Sequence, residues 1–190
     1  MDFDRRGPAA GPPDMMTVTP VKTRDCLLAT GIENPVSDNI LSIIPTDPQW
    51  QPDQAAADRA ARIIAELALE DPDGFDPDIE IDWHDTITVV DCGGNLERIG
   101  CPTCGASIDT RWWDDLLEER WETGFDDLTA TVPCCGTTTG LDTLTYEWPC
   151  GFARFEIAIL NPGRDVFTDQ EITSVADALG HPVRQIMAHI

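Results

Sequence analysis

A chain of 190 residues with 42% hydrophobic content is long enough to bury a core without covalent help, which excludes global disorder and predicts one domain, with room for an insertion. A formal net charge of -23, with Lys22 the only lysine among 12 basic residues, repels phosphate and anionic lipid and weighs against nucleic acid and membrane surfaces as partners. No apolar run has the length of a membrane span, and no apolar segment follows Arg5 and Arg6 as in a secretory signal, so the expected address is cytoplasmic.

Residues 1–20, rich in Pro, Gly and Ala without periodicity, read as a disordered leader. "NILSIIP" (39–45) is a short apolar run closed by proline and predicts a buried strand. A helix is predicted over 54–69, where Ala56, Ala60, Ile63, Ile64 and Leu67 share one face and Asp58, Arg62 and Glu66 the other. "DPDGFDPD" breaks the chain with two Asp-Pro steps, and "TITVVD" (86–91) predicts a second strand with Ile87 and Val89 facing one way.

Beyond a cysteine-rich middle, "GFARFEIAILNPG" (151–163) predicts a third strand, with Ala153, Phe155, Ile157 and Ile159 on one face and Arg154 and Glu156 on the other. "TDQEITSVADALG" (168–180) carries a capping box, Thr168 with Glu171, an apolar row of Ile172, Val175, Ala176 and Leu179, and Gly180 as terminator. "HPVRQIMAHI" (181–190) supplies a fourth strand. The order strand, helix, strand, insertion, strand, helix, strand resembles the ferredoxin-like split βαβ arrangement, an α+β fold. It places the sheet domain in 39–91 and 152–190, and a cysteine-rich insertion in 92–151. Such a fold hosts many activities and points to none.

The insertion carries "CPTCG" (Cys101–Gly105) and "VPCCG" (Val132–Gly136), a C-x2-C-x29-C-C pattern. Two cysteines separated by two residues let one tight turn present both sulfurs to one ion, and Pro102 and Gly105 suit that turn. In the second element Val132 stands where a first cysteine would be, and adjacent Cys134 and Cys135 can share an ion only if the chain turns there, for which Pro133 and Gly136 are suited. Cys101, Cys104, Cys134 and Cys135 therefore read as a closed, four-thiolate, non-catalytic zinc site. Cys92, Cys150 and His84 stand as alternatives for the fourth ligand, although Cys92 and Cys150 also suit buried apolar positions. Cys26, in a polar stretch, receives no role. The two elements resemble zinc-ribbon knuckles; that resemblance covers only them and implies a metal-clamped pair of loops presenting a surface.

In "TRWWDDLLEERWETGF" (110–125), Trp113, Leu116, Leu117 and Trp121 fall at helical spacing and are expected to pack against the clamped loops, while Trp112 lies off that stripe as a candidate partner anchor. Glu70 to Asp85 holds eight acids and no base, and reads as a solvated acidic loop. Asp76, Asp78 and Glu80 are its candidate contacts to a basic surface. Its glycine spacing does not match a calcium-binding loop of EF-hand type. "YEWPCGFARF" (146–155) is expected to pack the insertion onto the sheet.

No nucleophile elbow, phosphate loop or paired-histidine metal motif is present, and none of His84, His181 and His189 lies beside a nucleophile in sequence, which weighs against an enzyme. The sequence predicts a zinc-stabilised acidic module that binds another, basic protein, as an adaptor or an inhibitor or immunity-like factor. The alternative is a thiol redox or metal-handling protein that uses the CxxC pair and the vicinal cysteines.

Overall fold

The computed structural model describes residues 39–69, 78–121 and 123–190, which belong to one compact unit. The expected leader, Cys26 and Asp76 lie outside the described residues.

The elements run β1 (Asn39–Pro45), α1 (Gln54–Ala68), β2 (Asp78–Val90), β3 (Arg98–Gly100), β4 (Ser107–Ile108), α2 (Thr110–Arg120), β5 (Thr129–Thr131), β6 (Thr138–Gly140), β7 (Thr145–Glu147), β8 (Gly151–Leu160), α3 (Asp169–Leu179) and β9 (Val183–His189). This is a mixed α+β structure. Four strands form a sheet in the order β2-β8-β1-β9 with every neighbour antiparallel. The insertion builds two smaller sheets, β4-β3-β7 and β5-β6.

Each helix starts where its cap dictates. Asp53 accepts the Ala56 N–H at 2.7 Å to open α1. Thr168 and Glu171 form the reciprocal capping box of α3, which Gly180 ends in the left-handed conformation at φ 82°. Both helices contribute to one core: Leu41, Ile43, Phe155, Ile157 and Ile159 from the sheet meet Ala57, Ala60, Ile64, Val175 and Leu179. Burying an aliphatic or aromatic side chain of this size contributes about 1.5–3 kcal/mol. On the opposite face Ser42 is buried, and its hydroxyl donates to Glu156 Oε1 at 2.5 Å.

Strand β2 is longer than its sequence suggests. Residues 78–85 are not an acidic loop but the first half of an edge strand, paired from Asp78↔Leu160 to Trp83↔Phe155, with a register shift before Thr88↔Ala153. Ile79 and Ile81 pack on the helix-side core while Asp78 and Glu80 are exposed. Charge on an exposed edge disfavours pairing with another chain.

A second core joins insertion to sheet. Ile87 and Phe152, from β2 and β8, pack with Ile99, Ile108, Trp113, Phe125, Val132 and Leu141. The Trp113 ring meets Tyr146 edge-on at 5.3 Å and Phe152 at 6.0 Å. Leu116 and Leu117 pack against this core as the helical spacing implies, but Trp121, expected on the same stripe, caps the C-terminal end of α2 and is 67% exposed. Trp112, by contrast, is half-buried against the second core.

Candidate metal centre

Two short hairpins position the four cysteines. Strand β3 leads through Cys101–Gly105 to β4, and β5 leads through Val132–Gly136 to β6. Both connections are the same turn. In the first, Cys101 N–H donates to the Ala106 carbonyl at 2.9 Å and Gly105 N–H to the Cys101 carbonyl at 2.9 Å. In the second, Val132 N–H donates to the Thr137 carbonyl at 3.0 Å and Gly136 N–H to the Val132 carbonyl at 3.0 Å. Gly105 and Gly136 close the turns at φ 72° and 69°, a region where a side chain is strained. A prolyl residue, Pro102 or Pro133, follows the first position of each.

The two turns bring their sulfurs together. All four Sγ atoms lie within 4.8 Å of one another. Cys101 and Cys135 are 3.8 Å apart, Cys104 and Cys134 3.5 Å, and Cys134 and Cys135 4.0 Å. A tetrahedron with metal–sulfur bonds of about 2.3 Å has edges of about 3.8 Å, so four thiolates at these separations fit one such ion. The cluster can therefore hold a metal ion. Cys101 is buried, whereas Cys104 and Cys135 lie at the surface.

Backbone donors prepare the sulfurs unequally. The N–H groups of Cys104 and Thr103 point at Cys101 and pull its thiol down to about 6 against the effect of burial. The hydroxyl of Thr137 lies 3.4 Å from Cys135 Sγ and, with its N–H, lowers that thiol too. Cys134 is pushed up to about 12, by loss of surrounding water and by the sulfurs of Cys104, Cys101 and Cys135. Four thiolates this close repel one another, and a divalent cation would supply the positive charge that offsets them.

The alternatives for the fourth ligand lie elsewhere. Cys92 and Cys150 pair with each other, their sulfurs 3.2 Å apart. His84 joins neither group of sulfurs; its carbonyl accepts from Gln51 Nε2 at 3.1 Å and Arg154 Nε at 3.3 Å. Sequence reasoning did not find the Thr137 hydroxyl or the N–H donors, which no spacing rule marks. Nor did it find the grouping of Asp91 with Cys92 and Cys150, though these residues flank the insertion on both sides.

No helix among the described residues is long and apolar enough to cross a membrane. No family model matches the chain, and neither a curated protein nor a solved structure matches it.

Proposed function

We propose that Cys101, Cys104, Cys134 and Cys135 hold a structural zinc ion, and that the clamped insertion is carried on a ferredoxin-like split βαβ sheet as a module that binds a basic protein partner in a reducing compartment such as the cytoplasm. The observation that carries the reading is the convergence of the four sulfurs from two like turns. Four protein ligands close the coordination sphere, which suits a structural ion rather than a catalytic one. The strand order β2-β8-β1-β9, with α1 joining β1 to β2 and α3 joining β8 to β9, supports the ferredoxin-like assignment. The partner assignment rests on charge: the net -23, with Asp78 and Glu80 exposed on the edge strand, complements a basic surface and repels nucleic acid.

Zinc content with a count of reactive thiols, on the wild type and Cys135→Ser, tests the clamp. One zinc held by these four cysteines, protected from alkylation and lost in the variant, is the expected result. Metal-free protein with Cys134 and Cys135 reactive or oxidised would overturn it in favour of thiol redox chemistry. The partner reading is tested by titrating the zinc-loaded chain with an Arg- and Lys-rich peptide. Binding that weakens with salt and with Asp78→Asn/Glu80→Gln supports it, and no binding at low salt sinks it.

A further inference from the structure

A second set of donors closes the neck of the insertion. Val90 pairs with Gly151, so Asp91 and Cys150 follow at the next rung, where β2 is left and β8 entered. Cys92 and Cys150 are buried, at 0% and 1% exposure, among Ile44, Val90, Ala153 and Ile186. An oxygen of the Asp91 carboxylate and the two sulfurs all lie within 4.8 Å of one another. The sulfur separation of 3.2 Å far exceeds a disulfide bond of about 2.05 Å and falls roughly half an ångström short of the edge around a tetrahedral ion.

A positive charge lies beside this pair. The partly buried Arg184 reaches this place: a Cβ on Gly151 would stand 3.3 Å from its guanidinium. Its Nε has no hydrogen-bond partner among the described residues, and the titratable groups that face it are Asp142, Cys150 and Tyr146. Tyr146 donates its hydroxyl to the Leu141 carbonyl at 2.8 Å, and burial holds its proton on. A guanidinium drawn out of water needs negative charge beside it. A divalent ion with two thiolates and one carboxylate carries a net single negative charge, which Arg184 offsets.

We propose that Asp91, Cys92 and Cys150 form a second metal site, taking a thiophilic divalent cation of the zinc class. With three protein donors, one position of a tetrahedral ion stays open to an exchangeable ligand such as water or a small thiol. This separates it from the four-cysteine clamp in chemistry as well as place, and the two share no residue.

The test is metal content per chain of the full protein produced with ample zinc, compared for wild type, Asp91→Asn, Cys92→Ser/Cys150→Ser and Cys134→Ser/Cys135→Ser. Two equivalents in the wild type are expected, one in the Cys92/Cys150 variant and one in the Cys134/Cys135 variant. Asp91→Asn, whose residue is exposed and spares the apolar neck, should lose its second zinc to a chelator at least tenfold faster than wild type. In protein produced with cobalt, the difference spectrum between wild type and the Cys92/Cys150 variant should show two-thiolate ligation. A wild type whose metal content survives Cys92→Ser/Cys150→Ser undiminished, or in which Cys92 and Cys150 are recovered disulfide-linked, overturns the second site and leaves the clamp standing. Metal lost with Cys92/Cys150 but retained with Cys134/Cys135 supports the second site and sinks the clamp.

Discussion

Val132 occupies in the second turn the place that Cys101 occupies in the first: each donates its N–H to the residue five positions on and accepts from the glycine four positions on. Val132 is fully buried in the second core, and Cys101 is 3% exposed in the same core. The second turn thus carries an apolar anchor where the first carries a sulfur, and Cys134 supplies a sulfur from the middle of the turn.

Cys134→Ser should therefore weaken metal binding by more than the roughly 10–100-fold that loss of an outer-shell partner costs. Adding Val132→Cys in that background should recover most of it, because a sulfur then stands at the position equivalent to Cys101. Competition with a chromophoric chelator reads both; no recovery in the double variant would mean that the turns differ at their first position.

The two cores predict separable stability. Trp113, 1% exposed among Tyr146 and Phe152, should cost about 3–5 kcal/mol when changed to Ala. Trp121, 67% exposed at the end of α2, should change stability by no more than about 0.5 kcal/mol. Chemical denaturation of the metal-loaded protein checks the contrast.

Glycines at the neck and in the turns should differ in the same way. Gly93 has φ 61°, and a Cβ there would collide with the His189 carbonyl, which also accepts the Gly94 N–H at 3.0 Å. At Gly105 the φ of 72° is comparable, but nothing lies within 4 Å. Gly105→Ala should cost about 1–2 kcal/mol from backbone strain alone. Gly93→Ala should cost more, because backbone must also move. Equal thermal shifts would contradict the collision.

A pH dependence follows from Glu171. Its carboxylate accepts the Thr168 N–H at 2.7 Å and two bonds from Arg164 at 3.0 and 2.9 Å, and these hold its pKa below the ordinary 4.5, the Thr168 N–H most strongly. A depressed folded-state pKa means the contribution is fully present above the ordinary value and lost as pH falls through the folded one. The Tm difference between wild type and Glu171→Gln should be largest near neutral pH and shrink below about pH 4.5. A difference that grows on acidification would refute this.

Local features were legible because they depend on neighbours in sequence. The capping box of α3 and its Gly180 stop follow from side chains that bond backbone three or four residues away, and α1 follows from its apolar spacing. The first half of β2 was not legible as strand. Its acids argue for a loop, yet Asp78 and Glu80 are tolerated because the strand lies at the sheet edge, while Ile79 and Ile81 turn inward. Trp121 was misplaced for a different reason: helical spacing assigns a face, but the tryptophan caps the end of α2 beyond the reach of the second core.

By itself the sequence determined the donor types, the turn-forming residues beside them, and an acidic surface, all properties of composition and short spacing. Only the tertiary structure decided which sulfurs meet. Cys101 and Cys135 are 34 residues apart and converge because two hairpins share one core; Cys92 and Cys150 are 58 apart and converge because β2 and β8 pair at the neck. Contacts at such separations are set by strand pairing and packing, which no local pattern encodes.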